Sequence, residues 1–218
     1  MKATDPYIRD TSSSSPVWAA LNQTLVQCWP IARQALPIKT DLTGDQQAQS
    51  GYWNPKGEHG SRVMNFVDTF LTPTATVGEK NDSALMELLD LSYRTGESAF
   101  LPANLLAANA YTLNLTKTQA KNMGYGDAAI TMNLTDEEKR EANAAYGSLL
   151  FNGDGGRYYL DTKGNIQMVT GLRKIIASQE WDALTDEERT KRVSDEIKVA
   201  KDLIIADIAR RKREEGEI

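Results

Sequence analysis

One short segment, Leu-Thr-Asp-Glu-Glu followed by a basic residue, occurs twice, at 134–139 and 184–189. In each copy a threonine stands three residues before a glutamate, Thr135 before Glu138 and Thr185 before Glu188. A threonine hydroxyl in that position accepts from the backbone of the third helical residue, and the glutamate reaches back to the threonine N–H. The acids between them favour the positive end of a helix. Apolar residues then recur at helical spacing: Ala142, Ala145, Tyr146, Leu149 and Leu150 after the first start, and Val193, Ile197, Ala200, Ile204 and Ile208 after the second. The second pattern extends to about Arg213, with Arg210, Arg211, Lys212 and Arg213 at the negative helix end. The flanks of the two copies do not match, so the repeat reads as two uses of a good helix start rather than a duplicated unit. The expectation is a mainly α, irregular helical assembly with a long C-terminal helix.

Elsewhere the helical signals are shorter. Pro16 opens and Pro30 closes a candidate over 17–29, with Trp18, Leu21, Leu25 and Cys28 on one face. Val63, Phe66, Val67 and Phe70 suggest another over 61–71. Asn81-Asp82-Ser83 caps a third, with Leu85, Leu88 and Leu89 as its stripe. A short helix over 116–123 ends at Gly124 and Gly126. Residues 100–115 are ambiguous, rich in alanine and leucine but crossed by three asparagines. Residues 158–160 and 166–168, around Asp161-Thr162-Lys163-Gly164-Asn165, suit a small β-hairpin; the alternative is a loop into a helix carrying Met168, Leu172, Ile175 and Ile176.

The first 60 residues read differently. Serine, proline and glycine interrupt every periodic pattern from 1 to 16 and from 30 to 60, yet Trp29, Tyr52 and Trp53 lie in or beside the second stretch. Aromatic groups in irregular chain need a surface to bury against. The expected organisation is an extended N-terminal arm or strap over 1–60 with one short helix, and a helical domain over 61–218. Trp18, Trp29, Tyr52 and Trp53 are its candidate partner-binding residues.

Bulk properties narrow the function. The net charge of -5 does not favour nucleic acid as a partner, since counterion release needs a basic surface. Cys28 is the only cysteine and His59 the only histidine, so no intramolecular disulfide and no multi-histidine zinc site can form within one chain. No stretch approaches the roughly 20 apolar residues of a membrane-spanning helix, and residues 1–10 carry no apolar signal core.

No catalytic constellation emerges. A hydrolase would have to centre on His59, in the irregular Gly57-Glu58-His59-Gly60. The densest carboxylate runs, Asp136-Glu137-Glu138 and Asp186-Glu187-Glu188, sit in helix starts, and Glu87 with Asp90 reads as a solvated helix face. Asn152-Gly153-Asp154-Gly155-Gly156 has the look of a calcium loop but lacks its ligands, with glycine at the fifth position and Lys163 at the twelfth. Arg210–Arg213 is followed at once by Glu214, Glu215 and Glu217, which offset its field. The expectation is a protein that is not an enzyme, with no catalytic residue, no cofactor and no metal.

Four segments, in order, resemble the C-terminal region of large polyvalent proteins of phages and mobile elements. They are Trp29–Leu42 with Gly44; Asn65-Phe66 and Phe70–Pro73 leading to Asn81–Leu88; Met132–Glu138 leading to Tyr146-Gly147; and Trp181–Arg189 before the last helix. The chain is far shorter than those proteins, and residues 153–164 depart from their pattern. The resemblance implies a virion-associated structural or internal protein of a bacteriophage, located in the virion and, during synthesis, in the host cytoplasm. Its partners would be other virion proteins or copies of itself, with possible delivery alongside the DNA during ejection. A nucleic-acid-binding module in DNA delivery or packaging is the alternative.

Overall fold

The computed structural model describes residues 7–11, 13, 15–28, 35–44, 46, 49–50, 76–77, 82–107, 110–155 and 159–218. The helix expected over 61–71, the boundary at 60/61, and Trp29, Tyr52, Trp53 and His59 lie outside them. The chain forms two compact units, residues 1–41 with 45–81, and residues 42–44 with 82–218.

In the first unit, α1 (Pro16–Cys28) forms where Pro16 fits the first helical turn. Residues 8–10 run antiparallel to 37–39: the Asp10 N–H donates to the Pro37 carbonyl and the Lys39 N–H to the Ile8 carbonyl, both at 2.8 Å. The Arg9 guanidinium adds a 2.8 Å bond to the Leu36 carbonyl. Thr40 and Gln46 form a further bridge, and β1 (Gln49–Ser50) pairs with β2 (Thr76–Val77).

The second unit is mainly helical. It comprises α2 (Ser83–Thr95), β3 (Thr112–Leu115), α3 (Lys117–Asn122), β4 (Ile130–Asn133), α4 (Asp136–Asn152), β5 (Tyr159–Leu160), β6 (Ile166–Gln167), α5 (Leu172–Ile176), α6 (Gln179–Ala183) and α7 (Asp186–Glu214). Both expected capping boxes are present, Thr135 with Glu138 and Thr185 with Glu188, and a third joins Thr116 to Gln119 at the start of α3. α7 is the longest helix described, at 29 residues. It packs along α4, and α5 packs against both α4 and α2. Leu88, Leu91, Leu115, Leu150, Phe151, Leu172, Val193 and Leu203 are among the buried residues at the centre.

Two stripe assignments need correction. Leu89 and Ala145 are exposed, whereas Leu91 and Ala84 complete the buried face of α2 and Phe151 that of α4. On α7, Val193, Ala200 and Ile208 are buried as expected, while Ile197 and Ile204 are half-buried beside the core. The ambiguous stretch before Thr116 ends in a strand: β3 pairs antiparallel with β4, and its residues alternate exposed and buried. Asn114 lies on the outer face, where it accepts a 2.8 Å bond from the Thr131 hydroxyl. The hairpin forms, as β5–β6; of the helical alternative, Leu172, Ile175 and Ile176 lie in α5 after it, whereas Met168 precedes that helix.

Residues 42–44 enter this unit against α4. Thr43 is fully buried, and Gly44 crosses the helix at Gly147, where neither residue has room for a side chain.

Candidate functional site

A concentrated polar cluster lies where the β5–β6 turn meets α7 and α3. Asp161 is the keystone of the turn: its Oδ1 accepts from the Lys163 and Asn165 N–H groups, both at 2.8 Å, and its Oδ2 from the Gln167 side chain at 3.3 Å. Burial opposes its ionisation, but these donors outweigh the burial and hold the carboxyl below its ordinary value. Thr162, fully buried, fastens the turn to α7: its hydroxyl donates to Asp202 at 2.6 Å and its N–H at 3.2 Å. The Gln119 amide reaches the same pair from α3, 3.3 Å from the Thr162 hydroxyl and 3.4 Å from Asp202. Over this floor opens a cleft of about 370 Å³, and Lys163, Lys198 and Lys201 are among its lining residues.

A second charged group is built around Glu87. It accepts from the Trp181 indole at 3.3 Å and pairs with Arg94 at 3.5 Å and Arg189 at 3.7 Å; both arginines also hold Asp186. Asp90 pairs with Arg94. Glu87 thus ties α2 to α6 and the start of α7, while Asp90 meets Arg94 within α2.

The basic cluster at the end of α7 is occupied within the chain. Arg210 donates to the Leu160 carbonyl at 3.2 Å, and Arg211 pairs with Asp207 at 3.4 Å and Glu141 at 3.7 Å. Lys212 is buried between Glu138 and Glu217. Arg213 lies over the Tyr125 ring, 4.8 Å from its centre. At the would-be calcium loop, Asp154 turns inward and accepts the Val169 N–H at 2.8 Å. Among the described residues no group of three or more histidine, cysteine or acidic side chains is placed to hold a metal, and no helix is long and apolar enough to cross a membrane.

Two apolar faces remain outside these networks. On α2, Met86, Leu89 and Tyr93 project on one side at spacings of three and four, and Tyr93 is 88% exposed. On α1, Trp18 is 58% exposed beside Val17 and Leu21. Trp18 is the one candidate partner-binding residue among those described. The sequence reading did not anticipate the α2 surface, because it gave Leu89 to the core.

Comparison with protein-family models, with curated proteins and with solved structures finds no match.

Proposed function

We propose that this protein is a non-catalytic component that works through protein–protein contacts, and that it is associated with a phage virion. The observation that carries the first part is the α2 face. Met86, Leu89 and Tyr93 are large apolar groups left in water on an otherwise well-packed helix. Single exposed apolar residues are ordinary on protein surfaces, but a contiguous stripe of three marks a docking surface. Trp18, Val17 and Leu21 offer a second such surface on α1. The carboxylates and arginines of the charged clusters described above, by contrast, already serve the fold. The virion assignment rests on the resemblance of the four ordered segments to polyvalent phage proteins. Mass spectrometry of purified particles tests the assignment directly: the chain should be recovered at a fixed copy number, and its absence sinks the virion reading. Tyr93→Ser and Trp18→Ser should each reduce incorporation into particles while the purified variants keep wild-type helical circular dichroism. Incorporation unchanged in both would remove the proposed docking surfaces.

The nucleic-acid alternative draws on Arg210–Arg213, and the engagement of all four within the fold argues against it. Filter binding across salt decides the matter. Phosphate contacts produce a steep fall in affinity as salt rises, and a flat, weak response is expected here.

A further inference from the structure

We propose that the cleft between the β5–β6 turn and α7 binds a small phosphate-type oxyanion ligand. The titratable groups facing the cleft are Asp161, Lys163, Lys198, Lys201 and Asp202. They are segregated by position. The carboxylates form the floor and are spent on the protein itself: Asp161 accepts from its own turn and Asp202 from Thr162 and Gln119. The three ammonium groups are exposed, and none forms an ion pair with a described residue. Lys198 and Lys201 stand three apart on one side of α7, and Lys163 faces them from the turn. Three unpaired cations held around one concavity repel each other, and a compact multivalent anion seated between them removes that repulsion. Lysine suits this role as a compact point charge with freely rotating donors, whereas planar bidentate recognition of carboxylate would favour arginine.

The geometry points to a small ligand rather than to a nucleic-acid backbone. The cleft, about 370 Å³, falls within the usual range of small-molecule pockets. The chain is acidic overall, and the arginines that could have continued a basic track along α7 are engaged in the fold. The floor is pre-organised, because the buried Thr162 pins the turn to α7 and Gln119 braces it from α3. Binding therefore needs little reordering beyond the lysine side chains.

The experiment is calorimetric titration of the full-length protein with inorganic pyrophosphate, with citrate as the carboxylate comparator and short duplex DNA as the polymer comparator. Pyrophosphate should bind with one site per chain. The double variant K198Q/K201Q, at exposed positions outside the core, should weaken binding at least tenfold while its circular dichroism is unchanged. The double variant K191Q/R192Q, which removes two charges from the exposed surface of the same helix, should bind as wild type. No heat with pyrophosphate at millimolar concentration overturns the proposal. Equal weakening by both double variants overturns it too, by showing diffuse charge attraction. Tighter binding of citrate or of DNA than of pyrophosphate rejects the stated ligand class.

Discussion

Gly44 and Gly147 meet backbone to backbone: a Cβ on Gly147 would lie 2.3 Å from the Leu42 carbonyl oxygen, and one on Gly44 would lie 2.4 Å from the Ala144 carbonyl oxygen. Both contacts are with main chain, which cannot swing aside as a flexible side chain can. Gly147 sits in the middle of α4, where propensity alone would favour alanine by about 1 kcal/mol. Overpacking against fixed neighbours costs about 1–3 kcal/mol. The two effects have opposite signs, so one variant discriminates between them. Gly147→Ala should lower stability in urea unfolding, by up to about 2 kcal/mol net. A more stable variant would mean that residues 42–44 do not cross the helix. Gly44→Ala should cost at least as much, because φ at Gly44 is +83° and a Cβ is strained there as well.

Asp82 and Arg173 give a second test. Asp82 caps α2 through the Ala84 N–H at 3.0 Å and receives the Arg173 guanidinium, with Nε at 3.0 Å and a second contact at 2.5 Å. Burial disfavours the charged carboxyl, yet Arg173 and the cap amides outweigh it, so its pKa is held below the usual 3.8. A depressed carboxyl stabilises the fold above its unfolded value and stops doing so as the pH falls through its folded value. The contribution should therefore be complete at pH 5 and fade below about pH 4. Arg173→Leu strands a buried carboxylate and should cost about 3 kcal/mol at pH 7. Chemical denaturation at pH 7 and pH 3 checks this: the gap between variant and wild type should shrink in acid, and a constant gap would assign the loss to packing instead.

Those two sites mark what the sequence could and could not disclose. The cap at Asp82 was legible because a local pattern dictates it, as were the boxes at Thr135 and Thr185, the span of α7 and the hairpin turn at Asp161. Each cap, box and turn is decided within five or six residues, and the span of α7 by a stripe that recurs at helical spacing from Val193 to Ile208. The β3–β4 pair was not legible, because Leu113 and Leu115 alternate with Thr112 and Asn114 for only four residues inside a run rich in alanine and leucine. Leu89 and Ala145 fit the helical period of their stripes yet face outward, since the period fixes a face only to within its width. The Gly44–Gly147 crossing joins positions about a hundred residues apart, and nothing local announces it. The cleft was hidden for the same reason. Asp161, Lys198 and Gln119 belong to three elements, and the turn was read for its shape rather than for what it touches.

At the far end of α7, Lys212 is buried and bonds Glu217 at 2.6 Å while also pairing with Glu138. Glu138 meanwhile holds the Thr135 N–H at 2.7 Å, so one lysine joins the start of α4 to the end of α7. Arg211, one residue earlier, makes only exposed pairs with Asp207 and Glu141. Removing a partner from a buried pair costs several kcal/mol, whereas exposed pairs contribute about 0–1 kcal/mol. The carboxylates left behind, Glu138 and Glu217, are partly exposed, so Lys212→Ala should lose about 1–2 kcal/mol in denaturant, and Arg211→Gln less than about 1 kcal/mol. Similar losses in both would show that the lysine is not specially committed to the fold. That result would reopen the basic cluster as a surface for phosphate.

Tyr146 supplies an alkaline test. Its ring is buried in the core, and among the described residues its hydroxyl has no hydrogen-bond partner. Burial disfavours the phenolate and pushes the pKa from 10 up to about 12. A group whose folded pKa is raised stabilises the fold fully below the unfolded value and loses that contribution as the pH rises toward the folded one. The unfolded chain ionises this tyrosine from pH 10 upward while the folded chain resists, so stability drains between about pH 10 and 12. A two-unit difference corresponds to about 2–3 kcal/mol at the top of that range. Tyr146→Phe removes the ionisable group and the unpartnered hydroxyl together, at nearly constant shape. At pH 7 the variant should be as stable as wild type or more so, by up to about 1 kcal/mol, because a buried donor without a partner is itself costly. Above pH 10 its advantage should widen. Urea midpoints at pH 7, 9 and 10.5 provide the comparison, with circular dichroism confirming that both proteins begin folded. A Tyr146→Phe protein that is destabilised by 1 kcal/mol or more at pH 7 would show that the hydroxyl is hydrogen-bonded after all, and the alkaline argument would fall with it.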